Sequence, residues 1–224
     1  MPRAQPLPRE FFEQPTLLVA RLLLGCILVH RQEINRKTRR LSGMIVETEA
    51  YCGEEDLGCH AKAGRTRRTA VMYGPAGHAY VYFTYGNHWL FNCITQAEGQ
   101  PHAVLIRAIQ PLEGLDVIAR RRAGQPEKRW ADGPGKLTRA LGIAGRHNGA
   151  DLTARTAIIF IEAGPPVLNR LVKSGPRIGL YTVPEPWKSK PWRFVYSTST
   201  GESLPAKPGS NSTVRSNATR GEIR

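Results

Sequence analysis

The segment Ala79-Tyr80-Val81-Tyr82-Phe83-Thr84 is turned by Tyr85-Gly86-Asn87-His88 into Trp89-Leu90-Phe91-Asn92-Cys93-Ile94, and its reading decides the class of fold. The first half alternates, so Tyr80 and Tyr82 share one face of a strand while Val81 and Phe83 share the other. A glycine-bearing turn between two such runs predicts an antiparallel hairpin.

Upstream, residues 10–24 carry apolar side chains at roughly helical spacing interrupted by Pro15, which predicts a short turn and then a helix from about Thr16. Gly25 ends that helix, and residues 26–30 read as a buried strand. The polar, basic residues 31–40 read as a hairpin loop, and strand character returns over residues 41–50. Residues 53–77 form a long stretch rich in Gly, Arg and Thr without periodicity, the kind of loop that is either functional or disordered. Downstream, residues 102–108 predict a strand, Pro111 opens a helix to about Arg122, and a second helix spans residues 136–141. Late strands follow over residues 156–162 and 193–197. Strands mixed with helices, without regular βαβ alternation, predict an α+β domain rather than a doubly wound sheet. The proline-rich residues 1–8 are expected to form a loose arm and residues 9–203 one domain. Residues 204–224 have almost no large apolar side chains and are expected to be a flexible tail.

Charge narrows the class of partner. The chain of 224 residues has 32 Lys+Arg against 18 Asp+Glu, a net +14, which draws polyanions to its surface. Nucleic acid is the first partner to consider, and an acidic membrane surface the second. Cys26, Cys52, Cys59 and Cys93 make no disulfide framework, and a reducing compartment is the simplest setting. The apolar run over residues 22–29 is too short to span a bilayer, and no cationic stretch leads into an apolar leader.

Glu47 and Glu49 lie two apart on a predicted strand and so share a face that Tyr51 continues. A carboxylate at a strand end, partly desolvated by aromatics, takes a proton from water; alternatively, both are exposed strand residues. The tyrosines of the hairpin read equally as sheet packing or as a wedge at its tip with flat walls behind it. Arg107 closes an apolar strand and calls for a carboxylate or phosphate partner. Arg65, Arg67, Arg68 and residues 120–122 are candidate phosphate contacts, as is the glycine-flanked helix start at Lys136. Cys52, Cys59 and His60 match no common zinc spacing, so no metal and no cofactor are expected.

Taken in order, Glu47-Thr48-Glu49-Ala50-Tyr51, Asp56-Leu57-Gly58-Cys59-His60-Ala61, residues 80–86, Asn92, Leu105-Ile106-Arg107-Ala108 and Gly133-Pro134-Gly135-Lys136-Leu137 resemble the alkyladenine DNA glycosylase (3-methyladenine DNA glycosylase) family over residues 7–195. The resemblance implies a single mixed domain with a curved, mainly antiparallel sheet, surrounding helices and a hairpin projecting into the DNA minor groove. It implies that Glu49 is the general base and that Arg107 helps hold the attacking water. Tyr51, His60 and Tyr82 would line the pocket, Asn92 would stand at its floor, and Tyr85 would intercalate. The implied activity is monofunctional base excision of alkylated or deaminated purines from double-stranded DNA, by a monomer without cofactor. That places it in the cytoplasm of a bacterium or the nucleus of a eukaryote, away from membranes. Asn87, Thr69 and Gly58 depart from the family pattern. A non-catalytic nucleic-acid-binding module is the competing reading, and such a module has no use for Glu49.

Overall fold

The computed structural model describes residues 5–196. The predicted tail, the end of the predicted domain and Ser197 lie outside the described residues. The chain opens with helices α1 (Arg9–Phe12) and α2 (Thr16–Leu22), then strands β1 (Ile27–Ile34) and β2 (Lys37–Cys52). After a long connection come β3 (Ala79–Thr84), β4 (His88–Thr95) and β5 (His102–Glu113). Helices α3 (Leu115–Arg121) and α4 (Pro134–Leu141) precede the short strands β6 (Ile159–Glu162), β7 (Val172–Gly175) and β8 (Arg193–Tyr196). All the strand pairs are antiparallel, in the order β3-β4-β5-β2-β1-β6, and β8 pairs with both β2 and β7. The architecture is α+β, with an unclosed sheet.

Alternation along the strands sorts the two faces of this sheet. Ala79, Val81, Phe91, Cys93, Val104 and Ile106 are buried in one cluster with Phe12, Val19 and Leu23 and with Leu137 and Leu141 of α4. Each large apolar side chain buried there contributes about 1.5–3 kcal/mol. The intervening Tyr80, Ile94 and Ala103 belong to a second cluster, closed by Cys59, Ala61 and Met72 from the long connection. That connection is ordered by two 3₁₀ turns, His60–Ala63 and Ala70–Tyr73.

β2 is long enough to take two partners along one edge. It pairs with β1 over residues 37–44 and with β8 over residues 47–49, while β5 covers its other edge. The β2–β5 register shifts between Ile45 and Thr48, an irregularity of the kind that re-aims side chains beside functional sites.

Three local expectations need correction. Residues 31–40 are not a loop: the ladder continues to Ile34↔Lys37, with only Asn35 and Arg36 turning, at φ 53° and 60°. Polar composition there marks a ribbon with little core behind it, not missing strand structure. Pro111 opens no helix; β5 runs through it to Glu113, and α3 starts at Leu115. Past Leu105, β4 no longer pairs with β5, so a residue without an N–H sits on an edge and no second ladder is broken. The predicted arm is anchored at its end, where the Leu7 amide donates to the Ile161 carbonyl at 2.7 Å. No helix among the described residues is long and apolar enough to cross a membrane.

Candidate active site

On the sheet face opposite the main core, the ends of β2, β3, β4 and β5 meet the long connection, the first residue of α4 and the segment after β7 around a cavity of about 350 Å³. Tyr51, His60, Tyr82, Asn92 and Arg107 line it, with Tyr85 at its edge and Pro134, Ile178, Gly179 and Leu180 completing the wall.

Glu49 is not part of that lining. It is 0% exposed and lies directly behind the wall, held by residues that do line the cavity. The Tyr51 hydroxyl donates to Glu49 Oε2 at 2.8 Å, and the Ile178 amide donates to Oε1 at 2.7 Å. Arg107 Nη1 lies 3.4 Å from the same Oε1, while its Nε donates to Glu47 at 3.0 Å. Arg193, paired with Glu49 across the β2–β8 ladder, donates to Glu47 as well. Two carboxylates and two guanidiniums therefore share one patch. Burial raises the Glu49 carboxyl above the ordinary carboxylate range, while Arg107, the Ile178 amide and the Tyr51 hydroxyl pull it back. Such a group is a stronger base than an exposed glutamate yet keeps a positive neighbour that favours its ionised form.

The slot has aromatic walls. His60 packs edge-on against Tyr82 with centroids 4.5 Å apart, and its Nδ1 is 3.1 Å from the Tyr80 hydroxyl. Asn92, 3% exposed, donates its amide to the Tyr80 carbonyl across the β3–β4 ladder at 2.9 Å. Tyr85 stands apart from the rest, 84% exposed at the hairpin tip. The sequence-predicted residues thus gather around one cavity, with Glu49 behind its wall and Tyr85 at its rim. Among the described residues no group of three His, Cys, Asp or Glu side chains is placed to hold a metal ion.

A buried ion pair went unread in the sequence. Arg177 and Asp56 have fully buried side chains and bond through two pairs of atoms, and Arg177 also donates to the Ala50 carbonyl at 3.0 Å. The guanidinium lies 4.8 Å from the Tyr51 ring and 5.0 Å from that of Trp192. This pair fixes the Tyr51 wall and the backbone that presents the Ile178 amide. The only local hint was the turn chemistry of Gly175-Pro176 and Gly179 around Arg177. Gly58 belongs to the same arrangement: a Cβ there would stand 2.7 Å from Leu180 and 2.8 Å from Arg177. Of the arginines read as phosphate contacts, Arg121 instead donates inward to Gln32 at 2.7 Å, and Arg68 turns toward His60. The glycine before Lys136 serves packing, since a Cβ on Gly135 would collide with His88.

The methylpurine-DNA glycosylase (MPG) family model matches residues 10–200 of the chain. A relative from Carboxydothermus hydrogenoformans is 46% identical over 188 residues, covering 84% of this chain and 93% of the relative. One from Myxococcus xanthus is 44% identical over 203 residues, 91% of this chain and 96% of its own length. One from Methanocella arvoryzae is 44% identical over 189 residues, 84% and 90% respectively. Each carries the name "Putative 3-methyladenine DNA glycosylase".

Proposed function

The chain belongs to the methylpurine-DNA glycosylase family, and from that premise we propose that it excises alkylated or deaminated purines from duplex DNA by hydrolysing the N-glycosidic bond. The substrates in this reading are 3-methyladenine, 7-methylguanine, hypoxanthine and ethenoadenine, and the product is an abasic site for base excision repair. The observation that carries it is Glu49, fully buried and bonded to the walls of an aromatic-lined cavity of about 350 Å³, which is large enough to admit a purine.

A purine inside a duplex must leave the stack to reach such a slot. Tyr85 would fill the vacated step, and the base would lie between Tyr51 and the Tyr82–His60 wall. Asn92, its amide already committed to Tyr80, would crowd the exocyclic amine of an undamaged guanine. Water would be held where Tyr51, Arg107 and Ile178 meet in front of Glu49. As the C1′–N bond breaks, its electron pair departs with the base. The water oxygen bonds to C1′, and Glu49 receives the proton. The sugar passes through an oxocarbenium-like state that the carboxylate also stabilises. A cationic purine leaves neutral; a neutral one departs with the electron pair and takes up one proton, balanced by the proton that Glu49 receives from water, which leaves the carboxylate restored. No lysine among the described residues lines the cavity, which supports hydrolysis without strand cleavage. The enzyme would act as a monomer on one lesion at a time, wherever the chromosome resides.

Glu49→Gln keeps the shape of the side chain and removes the base. It is expected to reduce single-turnover base release by about a thousandfold while damaged-duplex binding persists. Equal release by variant and wild type would remove the mechanism. Binding without release by the wild type would favour the non-catalytic module.

A further inference from the structure

Each aromatic wall of the slot carries a guanidinium, and the two differ in charge balance. Arg177, 4.8 Å from the Tyr51 ring, is neutralised by the buried Asp56. Arg68, 5.1 Å from the Tyr82 ring, is exposed, and its partners among the described residues are uncharged: that ring, the Tyr80 hydroxyl and His60 Nε2, the last at 3.4 Å. The remaining charges cancel, with Arg107 and Arg193 set against Glu47 and Glu49. Lys62, the other cation facing His60, is turned to the Leu57 carbonyl at 2.9 Å. Lys62 also lacks a carboxylate partner but is bonded away from the walls, so among the described residues Arg68 is the uncompensated charge in contact with the aromatic lining.

Its contact with His60 also fixes the state of that ring. A guanidinium only donates, so Nε2 accepts and Nδ1 carries the proton toward the Tyr80 hydroxyl. Burial, then Arg68, then Lys62 hold His60 down to about 4, leaving it neutral at physiological pH. The positive charge at this wall therefore stays on Arg68 and presses on the π system of Tyr82.

We propose that Arg68 is a specificity-determining residue that disfavours positively charged purines relative to neutral lesion bases in the same slot. The proposal rests on the reading that the extruded base lies against Tyr82. A cation stacked there must share a ring quadrupole that Arg68 already engages. It also meets a like charge in a partly desolvated site, where repulsion exceeds that in water. A neutral base meets neither penalty. The N-glycosidic bond of a cationic nucleoside is already weak, so selectivity of this sign directs binding to the substrates that need the slot most.

The test uses the full chain and matched duplexes, one with a single 7-methylguanine and one with a single hypoxanthine. Single-turnover excision is expressed relative to spontaneous loss from each duplex. Arg68→Met is expected to raise the 7-methylguanine to hypoxanthine ratio about five- to tenfold, while Arg68→Lys, which keeps the charge, leaves it within about twofold of wild type. An unchanged ratio in Arg68→Met, or an equal change in Arg68→Lys, overturns the proposal while leaving the glycosylase reading intact. Release of neither base by the wild type removes the glycosylase reading and this proposal with it. Circular dichroism of both variants separates a folding defect from the ratio, which is internal to each protein.

Discussion

Tyr85 adopts φ 51° at a solvent-exposed tip, with Gly86 beside it at φ 70°. A left-handed backbone costs an L-residue roughly 1–2 kcal/mol, and asparagine bears it better than tyrosine. Packing does not repay that cost, since the side chain is 84% exposed. Strain of this kind is retained where a side chain has work outside the fold. Tyr85→Asn is therefore expected to leave the melting temperature unchanged or slightly raised. Excision from duplex should fall about tenfold or more, with release from a free lesion nucleoside spared. Undiminished duplex excision would end the wedge assignment. At this scale much of the site was legible, because period-two spacing alone puts Glu47, Glu49 and Tyr51 on one side of a strand. The Arg177–Asp56 pair was not, because its members stand 121 positions apart and neither sits in a segment whose period reveals a partner. The backbone angle of Tyr85 was equally hidden, since nothing in a Tyr-Gly pair says that the tyrosine shares the glycine's left-handed conformation.

Elements were read well where burial imposed a pattern and poorly where it did not. The β3–β4 hairpin alternates because one face meets the helix-side core and the other meets the slot, so its bounds followed from side-chain chemistry. The β1–β2 ribbon lacks that contrast beyond His30, and its Asn35-Arg36 turn lacks the glycine that would have announced it. Both residues take positive φ, the geometry of a tight two-residue hairpin turn that asparagine followed by glycine fits with least strain. Arg36→Gly is accordingly expected to stabilise the protein by about 1 kcal/mol, read as a higher urea midpoint with an unchanged slope. Base release should not change, because the turn closes the end of β2 opposite the one that holds Glu49. A lowered midpoint would mean that Arg36 has a role the turn geometry does not account for. Pro111 misled for a related reason: a proline reads as a helix start unless the neighbouring strand is known to have ended.

Over the whole molecule, acid should destabilise the fold, and the histidines set the window. His30 is 1% exposed, donates from Nδ1 to the Leu141 carbonyl at 2.9 Å, and packs edge-on to His147 at 4.6 Å. Burial holds His30 and His60 down to about 4 and lowers His102 and His147 as well. Unfolded imidazoles titrate near 6.5, so between about pH 6.5 and 4 the unfolded chain binds protons that the folded one refuses. Stability is then full above that window and is lost as pH falls through it, by roughly 3 kcal/mol for His30 alone. Glu49 works in the opposite sense, since its raised carboxyl takes up a proton more readily in the folded state. One such group does not offset the histidines. The net charge of +14 only grows as carboxylates protonate, adding repulsion in the same direction. Urea unfolding from pH 7.5 to 4.5 is expected to give a falling midpoint, and His30→Gln should flatten that fall. A wild-type midpoint that stayed level across the window would show that the buried imidazoles are not held neutral by the fold, and the charge state assigned to His60 beside Arg68 would lose its support.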